Sequence, residues 1–294
     1  MSTFSTYTIK DLEALTSIKS HTIRIWEKRY NLLTPERTET NIRHYSNEDL
    51  KKLLNVSFLN QNGLKISKIS KLTNEEINEK VRDINISKFG NNIYIENLII
   101  ALVELNEKKF VKTLQNATLK MGFEMCVSDV IFPFFKRIGV MWQTGAINPA
   151  QEHFASNVIR NKIITATEAI TEPENSKLPK ALLLLPGNEL HELGLLYYNY
   201  LLKSRGVPTI YLGQAVPLEN ILRIVEITNP DIMVCSLTNA LNKDALNDVI
   251  ETVTAHFQKD IFISGTASEN TDNERFKNVH FFKGGDDLLK RLKL

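Results

Sequence analysis

The stretch "KALLLLPGNELHELGLLYYNYLLKSRG", residues 180–206, decides the fold of the C-terminal part of the chain. A short apolar run ends in Pro-Gly, a polar segment follows, and an amphipathic pattern completes the stretch. The bounded apolar run predicts a buried strand, and apolar residues at three- and four-residue spacing predict a helix. We therefore expect a strand, a loop and a helix, with His191 in the loop just past the carboxyl end of the strand.

The same alternation continues towards the C-terminus. Further short apolar runs occur in "PTIYLG" (208–213), "DIMVCS" (231–236), "DIFISG" (260–265) and "VHFF" (279–282), with helical patterns between and after them. Five short strands alternating with helices predict a doubly wound parallel sheet of flavodoxin-like strand order. Ligands of such sheets bind at the carboxyl ends of the strands, near the switch point, which is where His191 is expected.

The middle of the chain has a different periodicity. Apolar residues recur at three and four in "IYIENLIIALVELN" (93–106), "EKKFVKTLQNATLKM" (107–121), "FEMCVSDVIFPFFKRIGVMWQTG" (123–145) and "NPAQEHFASNVIRNKIITATEAI" (148–170). Such a series predicts a small helical bundle. We expect three domains: residues 1–75, a bundle over 90–175, and the sheet domain over 178–294.

The N-terminal region has the pattern of a helix-turn-helix. "TIKDLEALT" (8–16) and "KSHTIRIWEKRY" (19–30) predict two short helices, the second with Ile23 and Trp26 facing the core. The polar run from Pro35 to Asn41 predicts a hairpin wing, and Ser46 is expected to cap the next helix. "NGLKISKISKLTNEEINEKV" (62–81) is then expected to form one helix that ends the region.

Charge and composition add further limits. Residues 1–73 hold 12 Lys and Arg against 7 Asp and Glu, which leaves the rest of the 294-residue chain with 24 against 27. A basic N-terminal region (residues 1–73, the head) followed by a mildly acidic remainder suggests a module that binds a polyanion. Cys126 and Cys235 lie in apolar surroundings and are expected to be buried free thiols. No leader and no apolar run of membrane-spanning length is present, so we expect a cytoplasmic protein without a membrane partner.

The N-terminal motifs "YTIKDLEALT", "TIRIWEKRYNLLTPERT" and "IRHYSNEDL" resemble the MerR-type winged helix-turn-helix. The resemblance implies binding to double-stranded DNA, with His21, Thr22 and Arg24 on or beside the recognition helix. Arg43 and Tyr45 of the wing would then bind phosphate groups of the DNA. The alternative is that Arg24, Arg29 and Arg43 form surface ion pairs with Glu27 and Glu36.

The loop after the first strand resembles the signature of cobalamin-binding domains. Glu189, His191 and Gly194 form E-x-H-x-x-G, where that family has Asp in the first place. The resemblance makes His191 the cobalt ligand, and a carboxylate nearby can fix the imidazole tautomer. Ser236 matches the first place of a later S-x-L element, whose third place is Thr238 here, and Ser264-Gly265 stands where the family has Gly-Gly; these four residues would line the nucleotide tail.

The segment "MWQTGAINPAQEHFAS" (141–156) adds a second resemblance. Trp142, nine residues, and then Glu152-His153 match the cap motif of the light-responsive MerR-type cobalamin regulators, the CarH/LitR-like proteins. In that family these side chains cover the upper axial face of adenosylcobalamin. Gln143 stands where light-sensing members commonly have a histidine, and an amide is a poor cobalt ligand compared with imidazole.

Together the resemblances imply a DNA-binding regulator rather than an enzyme: a repressor that binds adenosylcobalamin and an operator, is switched by light, and assembles into a ligand-dependent homodimer or homotetramer. Two alternatives remain open on the sequence. The chain could be a MerR-type regulator that acts without cobalamin through protein partners. Less in keeping with the N-terminal region, it could be a corrinoid carrier protein of a methyltransferase system.

Overall fold

A computed structural model describes most of the chain: residues 7–16, 18–38, 41–61, 63–83, 92–143, 147–171, 173, 176–187, 189–237, 250–255, 257–265 and 276–294. The chain divides into two compact units, Met1–Val158 and Ile159–Leu294. The first unit holds the N-terminal region and most of the helical bundle, and the second holds the parallel sheet. The finer division into three domains stays a prediction.

The N-terminal region has the predicted winged helix-turn-helix elements. They are α1 (Ile9–Thr16), α2 (Ser20–Tyr30), the antiparallel wing strands β1 (Glu36–Arg37) and β2 (Arg43–His44), and α3 (Asn47–Gln61). Ile23 and Trp26 are buried, as their spacing predicts. The Ser46 hydroxyl accepts the Asp49 N–H at 3.1 Å, and the Asp49 carboxylate accepts the Ser46 N–H at 2.9 Å. This reciprocal cap explains why α3 begins where it does.

The expected single helix over residues 62–81 is wrong. The structure has two helices there, α4 (Ile66–Ile69) and α5 (Asn74–Asp83). Between them the Thr73 hydroxyl accepts the Glu76 N–H at 3.2 Å, and the Glu76 carboxylate accepts the Thr73 N–H at 2.8 Å. A capping box begins a new helix at this point, so the apolar period of the first segment does not run into the second.

The bundle has the helices that the periodicity predicts: α6 (Asn92–Val103), α7 (Glu107–Met121), α8 (Phe123–Cys126), α9 (Phe132–Gln143) and α10 (Pro149–Glu168). A π-helical turn, Val127–Ile131, joins α8 to α9. Phe110 packs edge-on against Phe134 and Phe154, with ring centroids 5.5 and 5.8 Å apart. These aromatic contacts tie α7 to α9 and to α10.

The second unit is built on a five-stranded parallel sheet. Its strands are β3 (Ala181–Pro186), β4 (Thr209–Val216), β5 (Ile232–Ser236), β6 (Asp260–Ser264) and β7 (Val279–Phe282), in the spatial order β4-β3-β5-β6-β7. The helices are α11 (Leu193–Ser204), α12 (Leu218–Thr228), a segment over residues 250–255, and α13 (Gly285–Leu292). This order confirms the predicted flavodoxin-like topology. Its switch point lies at β3, whose neighbours β4 and β5 continue the chain in opposite directions.

Two further expectations can be checked against the packing. Cys126 and Cys235 are both free and buried, as predicted. No helix in the described ranges is both long and apolar enough to cross a lipid bilayer.

Gly265 ends β6 at a point of close backbone approach. Its φ is +108°, and a Cβ built there would overlap the carbonyl oxygen of Leu237. The Leu237 N–H donates to the Ser264 carbonyl at 2.8 Å, so the two backbone segments are held against each other. Only glycine fits this contact.

We expect Gly265→Ala to destabilise the protein far more than Gly187→Ala. Gly187 also has a positive φ, +65°, but a Cβ there would meet nothing within 4 Å, so only the cost of the left-handed backbone applies, about 1–2 kcal/mol. At Gly265 the backbone must also move away from Leu237. Denaturant unfolding followed by circular dichroism measures both variants, and equal losses would contradict the close approach.

Candidate functional site

The exposed face of α2 carries most of the N-terminal residues predicted to contact DNA. His21 and Arg24 are exposed, together with Ile25 and Lys28, whereas Thr22 is half-buried. The Thr22 hydroxyl lies 3.3 Å from Nε2 of His21. The helix therefore presents polar and basic side chains on the side opposite its buried Ile23 and Trp26.

Glu27 of α2 holds the wing. Its carboxylate accepts from Nε of Arg43 at 3.0 Å and from the Tyr45 hydroxyl at 3.1 Å, and Nη2 of Arg37 lies 3.8 Å away. Arg43 thus forms the ion pair with Glu27 that the sequence left open as an alternative. Tyr45 is fully buried, and burial, with Glu27 adding to it, raises the pKa of its hydroxyl. The predicted phosphate contacts of Arg43 and Tyr45 stay predictions, and both residues also fix the wing to α2.

His191 lies in the loop between β3 and α11, as its position in the sequence predicts. Its ring is 64% exposed, whereas the Glu189 side chain is only 4% exposed. Oε1 of Glu189 accepts from the His191 backbone N–H at 2.9 Å and lies 2.7 Å from Nδ1 of the ring. An ionised carboxylate can only accept, so Nδ1 carries a proton, and in the neutral ring Nε2 then has the lone pair. One imidazole nitrogen is therefore set up to bind a metal.

Three more predicted residues meet where α11 begins and β5 and β6 end. A Cβ at Gly194 would lie 3.1 Å from Oγ of Ser236, and Ser236 pairs in register with Ser264 on the next strand. Both serines are buried, and Oγ of Ser264 makes no hydrogen bond of standard geometry among the described residues, although its interaction with Tyr198 partly opposes the rise that burial causes in the Tyr198 pKa. These small side chains, with Gly265 beside them, form one cradle. Thr238 lies outside the described residues.

The geometry fits the group that the resemblance implies. A single oriented imidazole suits a metal that arrives with other ligands of its own, as cobalt does in a corrin ring. The Gly194 cradle has the close backbone approach and the unpartnered buried hydroxyl that a polar nucleotide tail can use. His191 and the cradle both lie at the carboxyl edge of the sheet, where α/β proteins of this topology bind ligands.

Glu192 is a buried polar residue of this loop that the sequence analysis missed. Its carboxylate accepts from Nε of Arg160 and, at 3.1 Å, from the Tyr211 hydroxyl. Burial, and then Glu192, raises the pKa of Tyr211. Glu192, the residue after His191, is thus held by hydrogen bonds to α10 and to β4. Its partners lie 32 and 19 residues away in the chain, so no local pattern pointed to it.

The predicted cap residues lie on two helices of the bundle. Trp142 and Gln143 are the last residues of α9, and the structure does not describe their side chains. Glu152 is in the first turn of α10 and His153 follows it, with Nδ1 of His153 3.4 Å from Oε2 of Glu152. The His153 side chain is exposed, and Glu152 also accepts the Ser156 hydroxyl. Their role as a cap stays a prediction.

Comparison with known proteins finds two family matches along the chain. Residues 7–76 match the family described as MerR HTH family regulatory protein, and residues 94–166 match the B12 binding domain. The HTH-type transcriptional repressor CarH of Myxococcus xanthus is 26% identical over 96% of both chains. The repressor CarA of the same organism is 26% identical over 84% of this chain and 81% of its own.

A solved structure supports the fold. The monomethylamine corrinoid protein of Methanosarcina barkeri matches 75% of this chain and 99% of its own, with a TM-score of 0.51 and 17% identity. At that identity the likeness concerns the fold alone. The two family matches, in this order along the chain, support a MerR-type regulator in which the helix-turn-helix is followed by a cobalamin-binding domain.

Proposed function

We propose that this protein is a cobalamin-dependent transcriptional repressor that binds adenosylcobalamin and releases its operator in the light. The observation that carries the proposal is the His191 loop, where a buried carboxylate holds Nδ1 and leaves Nε2 of an exposed imidazole free. The likeness to two transcriptional repressors over most of the chain supports it. In this reading the protein regulates transcription and is not an enzyme.

DNA binding would use α2 and the wing. His21, Thr22 and Arg24 of α2 would enter the major groove, where an arginine can contact a guanine edge through two hydrogen bonds. Arg43 and Tyr45 would approach the phosphates beside it. We propose that the protein binds as a homodimer or homotetramer, since two or more heads can occupy repeated half-sites of an operator.

The cofactor would be held from two sides. Nε2 of His191 would bind cobalt from below, with Glu189 fixing the ring. The tail would follow the cradle of Gly194, Ser236, Ser264 and Gly265, together with Thr238. Trp142, Glu152 and His153 would cover the upper face. Bound adenosylcobalamin supplies a cobalt–carbon bond that light can break.

Switching then requires that the cap residues make different contacts in the two states. A ligand shifts a conformational equilibrium only by its difference in affinity for the two forms. Side chains that cover a departing group lose those contacts when it leaves. We propose that the loss of these contacts shifts the population towards an assembly in which the DNA-binding regions of the subunits are no longer held together for binding to DNA.

The cofactor half of the proposal predicts distinct spectra for a set of variants. His191→Ala should weaken adenosylcobalamin binding and remove the histidine-ligated absorption spectrum. Glu189→Gln should keep the ligand but lower affinity on the order of 10- to 100-fold, since it loosens the orienting contact. His280→Ala is the matched control, because Nε2 of His280 also pairs with a carboxylate, 2.8 Å from Oδ1 of Asp260.

The measurement is an absorption spectrum after incubation with adenosylcobalamin in the dark and removal of free ligand. A spectrum that is identical in His191→Ala would mean that another group or water binds cobalt. If the natural protein itself retains no cobalamin, the regulator acts without this cofactor.

The DNA-binding half of the proposal predicts that two substitutions weaken DNA binding in different ways. On duplexes selected with the natural protein from a random library, Arg24→Ala should reduce selectivity by about 1–3 kcal/mol through a lost base contact. Arg43→Ala should weaken all duplexes alike and reduce the salt slope by about one. Arg291→Ala, which removes the same charge from α13, is the control. Unchanged mobility-shift titrations at fixed salt for both head variants would remove the assignment of α2 and the wing to DNA.

Gln143 generates a third prediction. Without an imidazole next to Trp142, cobalamin should leave the illuminated protein more readily than it leaves a Gln143→His variant, because an amide contributes little as a second axial ligand. Cobalt retention is measured after illumination and desalting, with Gln115→His on α7 as the matched control. Equal retention, with a bis-imidazole spectrum in the natural protein, would show that His153 or another histidine already supplies the ligand.

A further inference from the structure

Arg137 of α9 contacts the N-terminal DNA-binding region directly. Its Nη1 pairs with Oε1 of Glu96 on α6 at 2.6 Å, and its Nη2 donates to the backbone carbonyl of Leu15. The two side chains are largely buried, with 18% of Arg137 and 9% of Glu96 exposed. One guanidinium therefore joins the bundle to α1, across 122 residues of sequence.

The Leu15 carbonyl, which accepts from Arg137, lies at the end of the first helix of the DNA-binding region. It belongs to the last turn of α1, where backbone carbonyls lack partners within the helix and carry partial negative charge. From α1 the contacts continue to the recognition helix. The Glu13 carboxylate accepts from the Ser20 hydroxyl and, at 2.9 Å, from the Ser20 N–H at the start of α2, and these hydrogen bonds lower the pKa of Glu13 to about 2.

The pair is poorly explained as a source of stability. Oε2 of Glu96 and Nε of Arg137 are buried without a hydrogen-bond partner among the described residues. Burial raises the pKa of Glu96, and Arg137 only partly opposes it. A buried ion pair of this kind contributes little net stability compared with apolar side chains of similar volume, but it restricts which arrangement the chain can adopt.

The helix that carries Arg137 also carries the predicted cap residue. Trp142 is five residues further along α9, about 7.5 Å along the helix axis. On the other side of Arg137 the helix continues into the π-helical turn Val127–Ile131, and such turns occur frequently at functional sites. If the end of α9 moves, Arg137 on the same helix would move with it, and its contact with the Leu15 carbonyl would change.

We propose that Arg137 is a positioning residue that fixes the DNA-binding head on the bundle and couples DNA affinity to the state of the cofactor. The coupling half of this inference depends on the proposed function, because it needs cobalamin to act at the cap. The positioning half does not, because it concerns the contact between α9 and α1 alone.

The test replaces both charges, so that no unpaired charge stays buried. Glu96→Leu/Arg137→Met should fold and keep the natural absorption spectrum with adenosylcobalamin. Kd for a duplex selected with the natural protein is measured in the dark with and without the cofactor. The ratio of the two values, on the order of 5–150 for coupled sites, should fall to near 1 in the double variant.

Lys51→Met is the matched comparison. Lys51 of α3 pairs at 2.7 Å with Glu104, which follows α6, so this pair also joins the DNA-binding region to the bundle. Its side chains are more exposed than those of Arg137 and Glu96. An exposed pair of this kind contributes little, and we expect its Kd ratio to change by less than about twofold. A double variant that keeps the natural ratio would overturn the coupling.

Hydrogen exchange of the cofactor-free proteins separates the two halves. The amides of α1 and α2 should exchange faster in Glu96→Leu/Arg137→Met than in the natural protein, while those of α7 stay unchanged. Unchanged exchange in α1 and α2 would overturn the positioning role. If the natural protein shows no effect of cobalamin on DNA binding, the proposed function and the coupling both fail, and the exchange result still decides the role of Arg137.

Discussion

The parallel pairing of β3 between β4 and β5 is the constraint on which the candidate cofactor site depends. Because the chain continues in opposite directions on the two sides of β3, the carboxyl ends of β3 and β5 lie side by side at the switch point of the sheet. The His191 loop and Ser236 are placed there by register alone, and β6 brings Ser264 beside Ser236. The sheet therefore gathers residues that are more than 70 positions apart in the sequence into one short stretch of surface.

Buried or half-buried carboxylates hold the functional side chains in both units. Glu27 binds Arg43 of the wing, Glu96 binds Arg137 of the bundle, and Glu189 binds the ring of His191. A carboxylate loses hydration when it is buried, so it is stable there only while its partner is in place. Each pair therefore fixes one orientation of a side chain that has other nitrogen atoms left to bind DNA, a backbone carbonyl or a metal. In three places, then, a partly or fully buried carboxylate positions a functional side chain.

Sequence patterns predicted the elements well and the long-range polar contacts poorly. The five strands, the helices of the bundle and the buried Ile23 and Trp26 follow from local periodicity, which burial imposes on every strand and helix. The break between α4 and α5 was missed because the prediction followed the apolar spacing of Ile66, Ile69 and Leu72, although Thr73 and Glu76 form a recognisable cap. The contacts of Glu192 with Arg160 and of Arg137 with Leu15 join residues that only the tertiary fold brings together. No spacing within the sequence encodes such pairs.

The departures from the cobalamin-binding pattern can be judged by what each position requires. Glu189 is one methylene longer than the usual Asp, and its single oxygen Oε1 reaches both the backbone N–H and Nδ1 of His191, so the orienting contact is kept. Ser264 replaces the first glycine of a pair, but its neighbour Gly265 is the one whose Cβ would overlap the Leu237 carbonyl. A side chain is therefore excluded at position 265 and tolerated at 264, where the serine adds a buried hydroxyl without a hydrogen-bond partner in the described structure. The substitutions fall where the geometry leaves room for them, and glycine is retained where the backbones meet.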